Sequence, residues 1–109
     1  MFSEYFVFLR MGIIQANIEK IIQLCVSHKV DKLYVFGSIA SDSFNSKSDV
    51  DLLVSFQKID LFNYFDNYQA LKNKLEKLLK RKVDLVEEQT LKNPVLIRSI
   101  DRHKQHIYG

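Results

Sequence analysis

The chain has 109 residues, 47% hydrophobic and 27% charged, with one proline and three glycines. Such a composition describes one globular domain and excludes disordered, collagen-like and low-complexity chains, and no apolar run approaches the roughly 18 residues of a membrane-spanning helix. A lone cysteine, Cys25, leaves no internal disulfide and fits a reducing, cytoplasmic compartment, while the formal charge of +3 permits a polyanionic partner without identifying one.

Residues 1–10, MFSEYFVFLR, do not have the order of a secretory signal, because Glu4 interrupts the apolar stretch and Arg10 follows it instead of preceding it. Met11 offers a second start, which would make 1–10 an N-terminal extension of a single domain spanning 1–109. From 12 to 29 the spacing of Ile14, Ile18, Ile21 and Cys25, joined by Ile22 and Val26, predicts an amphipathic helix with Gln15, Glu19, Lys20 and Gln23 on its outer face. The β-branched and aromatic run 32–36 predicts a strand stopped by Gly37. Small polar residues over 38–47 suit a short helix and loop, and 50–55 is a second strand. A long helix is expected over 61–80, capped by Asp60, with Leu61, Phe65, Tyr68, Leu71, Leu75, Leu78 and Leu79 as its apolar face. A third strand follows at 82–86. A final helix starts at Pro94, is capped by Asn93 and runs toward Arg102 or beyond. The order helix, strand, short helix, strand, helix, strand, helix predicts an α/β (α+β) fold: a small mixed sheet flanked by helices.

Two aspartates, Asp49 and Asp51, stand two apart at the start of a strand. Side chains two apart on a strand share a face, so two carboxylates meet where repulsion disfavours them unless a cation or proton compensates. Hard oxygen donors of this kind suit Mg2+, which takes one or two carboxylates together with substrate phosphate oxygens. A third acid, Asp84, lies inside an otherwise apolar strand, flanked by Val83 and Leu85, and needs a reason to be there. Upstream, Gly37 permits a tight turn and close approach of a ligand. Ser38 and the N–H groups that open the following helix would cradle a phosphate.

The run Gly37-Ser38-Ile39-Ala40, followed after a loop by Ser48-Asp49-Val50-Asp51-Leu52, resembles the signature of the minimal nucleotidyltransferases of the DNA polymerase β superfamily. Gly37 and Asp49 stand at the family's spacing, and Val83-Asp84-Leu85-Val86 resembles its third element. The resemblance implies the polymerase β-type nucleotidyltransferase fold and a two-metal site. In it Asp49 and Asp51 would bind both Mg2+ ions, Asp84 would bind the ion nearer the acceptor, and Gly37 and Ser38 would hold the β- and γ-phosphates of ATP. It also implies transfer of AMP to a hydroxyl with release of pyrophosphate, by an antitoxin-like protein whose partner is an all-helical HEPN ribonuclease toxin. Family members often carry Arg and Gly after the Gly-Ser pair, where this chain has Ile39, Ala40, Ser41 and Asp42. A chain this short leaves no room for a separate acceptor-binding domain, which suits a protein acceptor that supplies its own surface.

Other readings of the same residues stand beside this one. Asp-x-Asp alone also occurs at solvated strand ends, and Leu53 replaces the Thr or Val that a haloacid-dehalogenase-type nucleophile site would want. Asp84 could be salt-bridged to Lys82, Gly37 could serve only a turn, and Ser38 could only cap a helix. The basic run Lys72, Lys74, Lys77, Lys80, Arg81 and Lys82 is expected to be a solvated helix face, since it lacks the aromatics of a nucleic-acid platform. His103 and His106 could share a helical face but lack a third metal ligand, and Cys25 is expected in the core. Two alternatives to the transferase remain: a catalytically impaired module that neutralises a toxin by contact, and a transferase acting on a small molecule of the aminoglycoside type. The oligomeric state stays open.

Overall fold

The computed structural model describes residues 12–36 and 49–109. The expected extension at 1–10, the start at Met11 and the short helix and loop over 38–47 lie outside the described residues. The amphipathic segment forms two helices instead of one, α1 (Gly12–Ala16) and α2 (Ile18–Ser27). Asn17 breaks it: its side-chain amide donates to the Ile13 carbonyl (2.8 Å) and its own N–H closes on Ile14 (3.1 Å). A short polar side chain that competes for backbone partners in this way interrupts a regular helix. Ile14, Ile21 and Cys25 are buried as expected, whereas Ile22 and Val26 are 37% and 63% exposed. Each of the two follows a buried residue by one position, which turns it about 100° around the helix.

Strand β1 (Val30–Phe36) pairs antiparallel with β2 (Val50–Phe56), and β2 pairs parallel with β3 (Val83–Glu87). Parallel neighbours need a long crossover, and α3 (Leu61–Leu79) supplies it. Asp60 caps α3 by accepting from the Phe62 N–H (3.3 Å), and Lys80 ends it in the left-handed region at φ 55°. The inward stripe of α3 is Tyr64, Tyr68, Leu71, Leu75 and Leu79. Phe65 lies off that stripe and Leu61 sits in the first turn; both were expected inside, and both are exposed, at 68% and 89%.

After a 3-10 turn at Glu88–Thr90 comes α4 (Pro94–His103), whose cap Asn93 accepts from the N–H groups of Val95 (2.9 Å) and Leu96 (3.4 Å). A fourth strand absent from the sequence expectation, β4 (Gln105–Tyr108), then pairs antiparallel with β1. Its four residues, with only Ile107 and Tyr108 favouring a strand, are too short a run to signal one, and pairing with the edge of β1 makes it a strand. The sheet order is β3-β2-β1-β4.

Helices α2 and α3 share one face of the sheet, and the core lies between them and the inward side chains of the strands, among them Leu33, Val35, Val50, Leu52, Val54, Val83 and Leu85. At the outer edge of β3 two backbone groups are taken up by α3: the Val83 N–H donates to the Glu76 carboxylate (3.0 Å), and the Leu85 carbonyl accepts from the Tyr68 hydroxyl. Among the described residues no helix is long and apolar enough to cross a membrane.

Candidate active site

The alternation that sends Val50, Leu52 and Val54 into the core turns Asp51 to the opposite face of the sheet. In the parallel pairing of β2 with β3, Asp51 stands directly beside Asp84. In the antiparallel pairing with β1, Asp51 stands beside Phe36, the last residue of that strand. Asp49 precedes β2 by one residue and is exposed; Asp51 is half-buried and Asp84 exposed. The puzzle of an acid in an apolar strand is thereby resolved, because Val83 and Leu85 point into the core and Asp84 does not. Asp49 and Asp51 are each engaged in hydrogen-bonding or electrostatic interactions, as is Arg81.

Gly37 and Ser38, and the replaced positions Ile39, Ala40, Ser41 and Asp42, lie outside the described residues, so the anion cradle is a sequence expectation only. The strand that leads to them ends at Phe36, level with Asp51.

The donor set fits a hard divalent cation. Aspartate oxygens are the ligands Mg2+ prefers, and two carboxylates suffice when phosphate oxygens and water complete the octahedron. Among the described residues no three acidic, His or Cys side chains are already gathered in metal-holding geometry. The backbone sets the carboxylates side by side, and a nucleotide would have to bring the rest of the coordination shell.

Several neighbours escape the sequence reading. Tyr68, placed in the core by its spacing, also reaches the site strand through its bond to Leu85. Its hydroxyl pKa is raised, chiefly by burial and then by the negative charges of Asp84 and Glu87. On β1, Tyr34 pairs with Leu53, two residues along from the Phe36–Asp51 pair and on the same face, which puts it about 7 Å from the acids along the strand. The Lys104 ammonium sits 4.4 Å above the Tyr34 ring and bonds Asp101 at 2.9 Å; that hydrogen bond is the main reason its pKa is raised. Its only sequence signal was the Asp101–Lys104 spacing, which says nothing of Tyr34.

The expected sharing of a helical face by His103 and His106 is not found. His103 ends α4, whereas His106 is in β4 with its ring edge-on to Tyr34 at 5.6 Å. A cavity of about 720 Å³, lined in part by Phe56, Tyr64 and Glu87, opens at the far end of the sheet. Phe56 is five residues along β2 from Asp51, about 16 Å at strand rise, so this cavity is separate from the acids. The Tyr64 hydroxyl is buried there with no hydrogen-bond partner found among the described residues, and burial together with the nearby Glu87 carboxylate raises its pKa.

A mixed sheet with two helices on one face and a parallel strand pair that turns its aspartates to the other is the framework of the polymerase β type of nucleotidyltransferase. The chain belongs to that family: residues 19–109 match the model of the family described as "Polymerase beta, Nucleotidyltransferase". It is 38% identical over 76 residues to a Methanocaldococcus jannaschii protein named "Putative protein adenylyltransferase MJ1379", covering 68% of this chain and 73% of that one. Among solved structures it resembles one described as a "putative minimal nucleotidyltransferase" (TM-score 0.72, 33% identity, 87% of this chain and 93% of that one). It also resembles a chain in a structure of a tri-AMPylated Shewanella oneidensis HEPN toxin in complex with its MNT antitoxin (TM-score 0.61, 26% identity, 87% and 71%). Fold and family make this chain a nucleotidyltransferase.

Proposed function

We propose that this protein is a Mg2+-dependent adenylyltransferase that moves AMP from ATP to a hydroxyl of a helical, HEPN-type toxin partner, and so acts as an antitoxin in one domain over residues 1–109. The observation that carries the reading is the pairing of Asp51 with Asp84 on adjacent parallel strands, with Asp49 two residues before Asp51. In this reading Asp49 and Asp51 hold both metal ions, Asp84 shares the ion nearer the acceptor, and Gly37 and Ser38 hold the β- and γ-phosphates. Bound there, two Mg2+ ions would supply charge stabilisation to the attacking and leaving oxygens of an in-line displacement. The acceptor hydroxyl oxygen forms a bond to the α-phosphorus, the bond from that phosphorus to the bridging oxygen breaks, and pyrophosphate leaves with the electron pair. In this reading Asp84, whose side chain is exposed, also helps take the hydroxyl proton. The names of the relatives, a protein adenylyltransferase and an antitoxin bound to an AMPylated toxin, support AMP and a protein acceptor.

Incubation with Mg2+, ATP labelled in the α-phosphate and the helical product of the neighbouring gene tests the reading. Label should pass to the partner with wild type and be lost with Asp49→Asn and Asp51→Asn. Equal labelling by those variants overturns the assignment of the acids. Neutralisation of the partner without any label would turn the reading to a contact-only module.

A further inference from the structure

Helices α2 and α3 meet at the surface in a groove of about 620 Å³ whose lining includes Lys20 and Leu24 from one helix and Lys74, Lys77 and Leu78 from the other. In the sequence Lys74 and Lys77 belong to a basic run that a solvated helix face explains. The fold changes their meaning, because it brings Lys20 from a different helix to the same groove. Among the described residues none of these three ammonium groups has a carboxylate within 4 Å, and the carboxylate of nearby Glu76 is taken up by the Val83 N–H.

One of the three is held in place. His28 is buried, at 5% exposure, and its Nδ1 lies 2.8 Å from the Leu24 carbonyl. A carbonyl can only accept, so Nδ1 carries the proton and Nε2 presents a lone pair. The Lys74 ammonium lies 3.4 Å from that lone pair and donates to it. Restraining a lysine in this way removes part of the side-chain entropy that a charged contact otherwise loses.

The chemistry of the groove narrows its occupant. Three cations around a floor of two leucines favour a ligand that alternates carboxylates with apolar side chains. A single-stranded nucleic acid would want aromatic rings for its bases, and among the described residues no aromatic side chain lines the groove. A free phosphate would leave Leu24 and Leu78 uncovered. The two helices cover the face of the sheet opposite Asp51 and Asp84, so a protein docked in the groove leaves the acids open. We propose that this groove docks an acidic amphipathic segment of a protein partner, carboxylates on Lys20, Lys74 and Lys77 and an apolar side chain on Leu24 and Leu78. The inference stands apart from the transfer reaction and survives if that reading fails.

The test is an amide-resolved NMR titration of the full chain. The probe is a synthetic helix of about four turns, with leucine every third or fourth residue and glutamate at the flanking positions. A scrambled peptide of the same composition and an oligothymidylate of about 12 nucleotides serve as comparators. The patterned peptide should shift the amides of Leu24, Ser27, Lys74 and Leu78 and bind more weakly as salt rises. The scrambled peptide should bind several-fold more weakly. The triple charge reversal Lys20→Glu, Lys74→Glu, Lys77→Glu, checked for folding by circular dichroism, should weaken binding about tenfold, and it should bind a lysine-for-glutamate version of the peptide more tightly than wild type does. Absence of shifts in the groove, equal binding of patterned and scrambled peptides, or oligothymidylate binding the same residues as tightly would each overturn the proposal.

Discussion

On one face of β2, Val50, Leu52 and Val54 are buried beneath α2 and α3; on the other, the same strand turns Asp51 and Ser55 outward on either side of a buried Leu53. The two sets differ only by the pleat, yet one packs into the core and the other includes the acid to which the proposed chemistry is assigned. Most of the core lies on the helix-covered face, where side chains are close-packed and every lost methylene is felt; of the three residues β2 turns the other way, Leu53 is the buried one. The other face holds Asp51 half-buried and Asp84 exposed, so its like charges keep some access to screening by water and salt. The difference teaches that the acids can be altered with little cost to folding, and the core with little change to the chemistry of each folded molecule.

The sharpest way to break that division is Asp51→Asn. On the proposed assignment adenylyl transfer should drop about a thousandfold, the several kcal/mol of charge stabilisation lost with a metal ligand, while urea unfolding shifts by less than about 0.5 kcal/mol. A large loss of stability would show that the two faces are not independent. Next in size, Leu75→Ala on the buried stripe of α3 should destabilise by about 2–5 kcal/mol in urea and leave transfer per folded molecule unchanged. A smaller effect is set by pH. Burial pushes the Cys25 thiol from 9.0 up to about 12, so the unfolded chain loses that proton first. The stability it contributes is complete below pH 9.0 and declines as pH climbs toward about 12. Tyr64 and Tyr68, raised in the same direction from 10.0, act at still higher pH. Between pH 9.0 and 10.0, then, the urea midpoint of Cys25→Ala should fall less steeply than that of wild type. Smallest of all, Phe62→Ser, at a side chain 88% exposed, should change stability by no more than about 0.5 kcal/mol. A larger loss would mean that apolar burial extends past the stripe.

What could be read from the chain was whatever its neighbours in sequence decide. The caps Asp60 and Asn93, Pro94 at a helix start and the β-branched runs of the first three strands are local signals, and they fell within a residue or two of the observed elements. Asp49, Asp51 and Asp84 could be picked out by type and spacing. Their adjacency could not be derived from residue spacing alone, because register depends on how α3 returns the chain to the sheet. Beyond local reach lay β4, which exists only because β1 offers it an edge, and Lys104, which meets Tyr34 across that same pairing. Asn17 was legible in principle, as a polar residue able to bond Ile13 and interrupt the periodicity, but the apolar spacing on either side outweighed it. Leu61, Ile22, Val26 and Phe65 show the converse: apolar character marks a residue as able to be buried, and only the neighbouring elements decide whether it is.

The two bonds that α3 sends to the outer edge of β3 bear on the behaviour of the folded protein at high concentration. An open strand edge is a template on which another chain can lay its own strand and begin an aggregate. Here the Val83 N–H is occupied by Glu76 and the Leu85 carbonyl by Tyr68, so an incoming strand would first have to displace both. That side of the sheet resists growth into sheets shared between molecules, and a helix whose main task is to carry the chain from β2 to β3 doubles as a guard against fibre formation.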